Sequence, residues 1–167
     1  MQIKGSILGF SRELKGVTLL FLLVLSLGFF SGIQFVHLTT GGNPEGIEEN
    51  YLGNEDDLEA TELKFAKSEQ QILNIVHAHV LSMSLIFFIL ALLVAATPLQ
   101  GMWRKFLLFE PLVSVILTFG GIWLLSKGIL WMRYVVMVSG ILMTASFVVS
   151  VLLVTYWLFK TGQPRPE

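Results

Sequence analysis

Cysteine is absent from this 167-residue sequence, and charged residues are scarce. A chain without cysteine forms no disulfide, no thiolate metal site, no iron–sulfur cluster and no covalent c-type haem attachment. Charged residues make up 14% of the chain, whereas a soluble domain carries about 25%. The net charge of -1 excludes bulk attraction to nucleic acid. The phosphate-binding glycine loop, His-Glu-x-x-His and Gly-x-Ser-x-Gly are also missing, so we expect a protein that is not an enzyme.

Long apolar stretches are what the sequence has instead. Each of the four meets the length of about 20 residues that a helix needs to cross a bilayer, and helix is the form that satisfies its backbone there. Short connections between them imply antiparallel neighbours. The sequence therefore predicts one all-α integral membrane domain over residues 1–167, an up-down-up-down four-helix transmembrane bundle with an acidic outer loop at residues 39–71. The stretches are Val17–Leu38, Ile72–Ala96, Phe106–Ser126 and Trp131–Phe159.

Lysine and arginine favour one orientation of this bundle. Seven of them fall on the side that holds both termini, and four fall on the opposite side. Because cytoplasmic loops carry the excess of these residues, we expect a multi-pass protein of the bacterial inner membrane with both termini in the cytoplasm. The first apolar stretch exceeds the roughly 7–15 residues of a signal-peptide core, and no Ala-x-Ala site follows, so we expect it to be retained. The two sets are Lys4, Arg12, Lys15, Arg104, Lys105, Lys160 and Arg165 against Lys64, Lys67, Lys127 and Arg133.

The outer loop is the one sizeable polar segment. Its nine acidic residues and two lysines give it a net charge of about -7. Its first half, Thr39–Gly46, has the glycine and Asn-Pro composition of turns. In its second half, a residue suited to cap a helix is followed by three acidic residues that suit the first helical turn. Apolar residues then recur every seven positions, as on one face of a helix. We therefore expect the second membrane helix to begin before the bilayer and to project outward from it. These residues are Asn54, then Glu55, Asp56 and Asp57, then Leu58, Phe65 and Ile72.

All three histidines lie near the predicted outer face. His37 ends the first membrane helix, and His77 and His79 lie in the first two turns of the second. Neutral imidazole binds haem iron, copper and zinc, and a helical bundle supplies cofactor ligands from facing helices. His37 with either His77 or His79 therefore predicts one b-type haem near the outer face. His77 and His79 are about 200° apart on a helix, so one should face the bundle and the other should face lipid or a partner.

Copper is the alternative cofactor. Met83 lies one turn after His79 on the same face, and His37, His79 and Met83 would form a soft site for Cu(I). Met83 would also serve as an axial haem ligand. Gln34 is one turn before His37, placed either to hydrogen-bond a second group at the site or to make an interhelical contact. Interfacial histidines without a cofactor are a further interpretation, because imidazole is amphipathic.

Two other features sit within the predicted spans. Glu110 is the one acidic residue there and is followed by Pro111. Because proline is tolerated at a helix start, we expect Glu110 to be a first-turn acid near the positive end of the helix dipole, within reach of Arg104. Its functional interpretation is contact with a proton or a quinone headgroup. Gly28 and Gly32 have the spacing that lets helices approach closely, within the bundle or against another subunit.

The middle third of the sequence resembles a set of four-helix bacterial membrane proteins that have no assigned activity. The segments that carry this resemblance are Asn43-Pro44-Glu45-Gly46-Ile47, Tyr51-Leu52-Gly53-Asn54-Glu55, Lys64-Phe65-Ala66-Lys67-Ser68 and His77-Ala78-His79. Paired helices with outer histidines are also similar, in architecture alone, to small cytochrome b membrane subunits. Those subunits usually carry histidine ligands at both faces, and the inner face here has none. A two-haem wire across the membrane is therefore not predicted.

The predicted function is that of a small integral membrane subunit. It would hold one b-type haem near the outer face, through His37 with His79 or His77, and transfer electrons within a larger membrane complex. Its expected partners are the lipid bilayer, other membrane subunits and a quinone or soluble electron carrier, with no nucleic acid. A cofactor-free accessory subunit and a copper-handling membrane protein are the alternatives.

Overall fold

The computed structural model describes residues 6–55, 57 and 62–160. Within these residues the chain is helical, with no β-strand. A 3-10 turn at Ile7–Gly9 precedes the first long helix. The predictions that involve Lys4, Asp56, Leu58 and Arg165 fall outside the described residues. The helices are α1 (Arg12–Thr40), α2 (Pro44–Leu52), α3 (Glu69–Ala95), α4 (Gly101–Ser126) and α5 (Met132–Phe159).

Four of these helices are long and apolar enough to cross a membrane, which confirms the predicted all-α transmembrane architecture. α4 packs against both α3 and α5 and is the most buried of the four. The Ile7 N–H donates to the Ala96 carbonyl at 2.9 Å, so the start of the described chain lies beside the end of α3. The bundle therefore has a terminal end, where α1 begins and α5 finishes, and a loop end, which carries α2.

Phenylalanine side chains hold the centre of the bundle together. The rings of Phe29 (α1) and Phe147 (α5) stack with centroids 3.8 Å apart. Phe87 of α3 meets Phe29 edge-on at 6.2 Å and Phe147 edge-on at 6.4 Å. Edge-to-face and stacked pairs of this kind add about 0.5–1.5 kcal/mol each beyond their buried area. The three rings thus join three helices at one depth.

α1 is the peripheral helix of the bundle. Its buried residues are few and lie on one side, at Thr18, Leu22, Phe29 and Thr40. A methyl group added at Gly28 or Gly32 would meet no atom within 4 Å. The small-residue spacing is therefore not used for packing inside the bundle, and both glycines lie on the exposed side of α1.

The outer loop differs from its prediction. α3 begins at Glu69, where Ser68 and Gln71 form a reciprocal capping box, so the expected early start near Asn54 is wrong. Asn54 instead braces a loop: its Oδ1 accepts from the Lys64 N–H at 2.7 Å, and its Nδ2 donates to the Glu62 carbonyl at 3.0 Å. The described residues from 62 to 68 are not helical. A capping box satisfies orphan helix N–H groups, and this one outweighs the weaker seven-residue pattern before it.

The first half of the loop contains a helix that the sequence analysis missed. Turn glycines are present, with Gly41 and Gly42 at positive φ, but Pro44 then opens α2. Asn43 caps it, because its Oδ1 accepts from the Gly46 N–H at 2.7 Å. Proline is favoured at this first position because its missing N–H has no helical partner there. The turn residues were read correctly, and the helix that they introduce was not.

α2 is fastened over the loop end by ion pairs and burial. Arg133 of α5 contacts Glu48 at 2.5 Å, and Lys64 contacts Glu49 at 3.2 Å. Lys67 donates to Asn50 and lies 5.3 Å above the Tyr51 ring. Burial raises the pKa of Tyr51 to about 12, because desolvation disfavours the phenolate. The outer segment is thus a packed cap on the bundle.

Candidate functional site

His79 is exposed, like His77, but its ring contacts a neighbouring helix. Its ring stacks on Phe119 of α4 with centroids 5.0 Å apart. Its Nδ1 lies 2.8 Å from the carbonyl oxygen of Ile75. A carbonyl can only accept, so Nδ1 is the donor in this contact, and in a neutral ring that leaves the lone pair on Nε2. His79 is therefore oriented by its own helix in the tautomer that a metal ligand needs.

The other predicted ligands lie elsewhere. His77 is exposed, on a different side of α3 from His79, as a separation of two helical residues requires. The His37 ring lies against the turn glycine Gly42, whose added Cβ would meet His37 Nδ1 at 3.0 Å. Met83 is half-buried and packs against the apolar core. The rings of His37 and His79 thus make their contacts with different parts of the protein.

A shared metal cluster is not formed by these side chains. Among the described residues, no group of three or more histidine, aspartate or glutamate side chains is close enough to hold a metal ion. An apolar groove of about 320 Å³ lies on α4 and α5, and it contains no histidine. Its lining residues are Leu117, Tyr134, Val135, Val138, Ser139 and Leu142. The pairing of His37 with His77 or His79, and the His37, His79 and Met83 copper site, stay predictions.

Glu110 occupies a different place from the one predicted. α4 begins at Gly101, which has a φ of 77°, so Pro111 lies inside the helix and the first-turn assignment of Glu110 is wrong. Glu110 is 3.5 residues from the middle of this helix, which at 1.5 Å per residue is about 5 Å. Glu110 therefore lies in the third turn of α4, within a helix that is long and apolar enough to cross a membrane.

Two serine hydroxyls bind the Glu110 carboxylate. The Ser114 Oγ, one turn later on α4, donates to Oε1 at 2.5 Å. The Ser146 Oγ, on α5, donates to Oε2. Both serines are buried, each 2% exposed, whereas Glu110 itself is half-buried. The carboxylate is therefore one polar link across the α4–α5 pair, which is the most extensive helix pair among the described residues.

Arg104 does not pair with Glu110. Its Nη2 donates instead to the Ala95 carbonyl at 3.0 Å, at the end of α3, and its buried Nε has no hydrogen-bond partner. No described lysine, arginine or histidine forms an ion pair with Glu110. Hydroxyl groups alone thus provide its polar contacts.

A row of hydroxyls continues this polar contact along the α4–α5 interface. Towards the loop end, Thr118 and Ser139 hydrogen-bond at 2.7 Å. Towards the terminal end, Ser150 is buried one turn beyond Ser146. The sequence analysis missed these residues, although a signal was present. Glu110, Ser114 and Thr118 recur every four residues, which places them on one helical face.

Comparison with known proteins identifies the domain but no relative of known activity. A family model described as a transmembrane helical domain matches residues 41–165, and so covers α2 to α5. No curated protein and no solved structure matches the chain. The matched region begins at Gly41, directly after α1, and includes His77, His79 and Glu110. Because the match covers more than half of the sequence, the chain belongs to this family of transmembrane helical domains, Aq_1264_TM.

Proposed function

We propose that this protein is a non-catalytic subunit of a membrane complex and that it assembles through α1, beginning with the pairing of two copies. The proposal rests on the position and the unpaired amide of Gln34. It is exposed and, within the described residues, its amide has no hydrogen-bond partner. It lies 8 residues from the middle of α1, about 12 Å, which is within the hydrocarbon core. An unpaired amide at that depth favours a partner helix.

The exposed side of α1 has a spacing suited to helix pairing. Residues separated by four and three in turn form a continuous stripe, as in a left-handed coiled coil. All of them are exposed, so the bundle itself does not cover the stripe. We call this stripe the α1 seam. It consists of Leu20, Val24, Leu27, Ser31, Gln34 and Leu38.

Symmetry favours a second copy as the first occupant. A two-fold axis along the membrane normal would bring two α1 helices together in parallel, with each residue opposite its own counterpart. Gln34 would then meet Gln34, and a primary amide is both donor and acceptor, so the pair is self-complementary.

The absence of cysteine makes the test direct. Single-cysteine variants on the seam, Leu27→Cys and Ser31→Cys, should form a disulfide-linked dimer on oxidation in native membranes. Leu152→Cys is the control, because that position on α5 is similarly exposed, at 64%. The variant Gln34→Leu should weaken the dimer about threefold to thirtyfold, since interhelical hydrogen bonds in membranes contribute about 0.6–2 kcal/mol. Equal cross-linking at the seam and at residue 152 would show that α1 faces lipid.

We infer the same orientation as the lysine and arginine count predicts, with the terminal end in the cytoplasm of a bacterial cell. At the loop end, Lys64, Lys127 and Arg133 are each paired with a glutamate, which offsets their charge. A membrane-impermeant maleimide added outside intact spheroplasts should therefore label the variant Glu62→Cys in the inner membrane. Labelling only after the membrane is broken would reverse the orientation.

Electron transfer through a b-type haem is the second candidate function, and the orientation of His79 favours it. A hydrogen bond from Nδ1–H to a backbone carbonyl fixes an imidazole for ligation through Nε2. His37 would supply the other ligand to a haem held by His79, and a quinone or soluble carrier would exchange electrons with that haem. A copper site of His37, His79 and Met83 would use the same Nε2 atom.

An absorption spectrum together with elemental analysis distinguishes a bound haem from bound copper. Protein purified from its native membrane should give a reduced-minus-oxidised α-band near one haem per chain, and His79→Ala should remove it. Copper found by elemental analysis without that band would instead support the copper site. A sample free of both, with the α1 dimer intact, would leave the assembly function alone.

A further inference from the structure

We propose that Glu110, Ser114 and Ser146 form a proton-binding site inside the membrane, between α4 and α5. The reaction is the reversible addition of one proton to the Glu110 carboxylate, with no other bond made or broken. This proposal does not depend on the assembly of α1, since both helices lie in the family-matched region.

The position of the Glu110 carboxyl along α4 favours proton binding. An ionised side chain at the centre of a bilayer costs at least about 2.5–3.5 kcal/mol. Glu110 lies about 5 Å from the middle of α4 by the helical rise and is only half-buried by protein. Part of its surface is therefore left uncovered by the protein, on a helix apolar enough to cross a membrane. Because a charge in that location is unfavourable, intramembrane carboxyl groups are retained where they carry protons.

The distribution of charged groups around the site also favours proton binding. None of those on the neighbouring helices is at the depth of Glu110, so the proton itself is what neutralises the carboxylate. On α4, α5 and α1 the cations lie near helix ends, and on α3 the ionisable groups are all at the loop end. These residues are Arg104 and Lys105 on α4, Arg133 and Lys160 at the ends of α5, Arg12, Glu13, Lys15 and His37 at the ends of α1, and Glu69, His77 and His79 on α3.

The hydrogen bonds to the Glu110 carboxylate come from both helices, with Ser114 on α4 and Ser146 on α5. Both carboxylate oxygens are occupied by hydroxyl donors. The two serines thus stabilise the empty, ionised state of the site, which allows the proton to leave.

Carbodiimide labelling of the full-length protein in lipid nanodiscs tests the site. A hydrophobic carbodiimide reacts with a protonated carboxyl in the membrane, and peptide mass spectrometry locates the adduct. We expect labelling at Glu110, with a rate that falls as the pH rises. Acidic residues of the outer loop should react with a water-soluble carbodiimide instead. An absence of labelling at Glu110 from acid to alkaline pH would overturn the proposal, as would a rate independent of pH.

Variants of the serines give a readout that packing alone would not move. Ser114→Ala and Ser146→Ala each remove a donor to the carboxylate, so the ionised form loses stability and labelling should persist to higher pH, by about one pH unit for each. Ser139→Ala is the matched control, because that hydroxyl is equally buried but bonds Thr118, and its midpoint should stay unchanged. An identical shift in all three variants would contradict a specific site. Protection by sodium chloride but not by choline chloride at fixed pH would identify a metal-cation site instead.

Discussion

Phe147→Ala should lower the free energy of unfolding by about 3–5 kcal/mol, the usual cost of truncating a buried aromatic residue. Phe147 is fully buried and contacts Phe29 and Phe87 on two other helices. Its removal leaves a cavity at the one depth where α1, α3 and α5 meet. The measurement is reversible unfolding in mixed micelles, followed by tryptophan fluorescence and far-ultraviolet circular dichroism.

Phe159→Ala is the control for this experiment. Phe159 is on the same helix but is 69% exposed, so its truncation leaves no cavity in the protein. We expect a change within about 0.5 kcal/mol, as at most exposed positions. If both variants lost the same stability, the aromatic cluster would not be the centre of the bundle.

Gly46→Ala should displace α2 from the loop end. An added Cβ at Gly46 would lie 1.9 Å from the Thr40 carbonyl oxygen, which is a backbone atom at the end of α1 and cannot rotate away. Forcing an extra carbon into a packed site costs about 1–3 kcal/mol. The expected result is faster protease cleavage of the chain between α2 and α3.

Gly16→Ala provides the comparison for Gly46→Ala. An added Cβ at Gly16, within α1, would have no neighbour within 4 Å, and alanine is favoured over glycine inside a helix by about 0.5–1 kcal/mol. Its cleavage rate should match that of the unaltered protein or fall below it. Equal protection of Gly46→Ala would mean that the α1–α2 junction is looser than the structure describes.

The outer loop shows why local patterns were only partly sufficient. The turn glycines and the Asn43-Pro44 pair are local signals, and the structure uses them as turn and cap. The cap role expected of Asn54 failed because its amide is used by Glu62 and Lys64, eight and ten residues away. A side chain with both a donor and an acceptor serves whichever backbone groups the fold brings to it.

The candidate sites show the same division. The angular separation of His77 and His79 follows from helix geometry alone, so it could be predicted from the sequence. That His79 would stack on Phe119, and that His37 would lie against Gly42, depended on helix rotation and on the turn after α1. Glu110 was assigned to a helix start because Pro111 follows it, and the start of α4 at Gly101 places it in the third turn instead.

By itself, the sequence determined that the chain crosses a membrane four times as helices. Length and apolarity suffice for this, because hydrocarbon leaves the backbone no other partners. Only the tertiary structure decided which helix faces are shared. In an apolar chain nearly every face is suited to lipid or to protein, so hydropathy does not distinguish the exposed α1 seam from the buried α4–α5 interface. Packing made that choice, and it put Glu110 beside Ser146 and left Gln34 without a partner in the described chain.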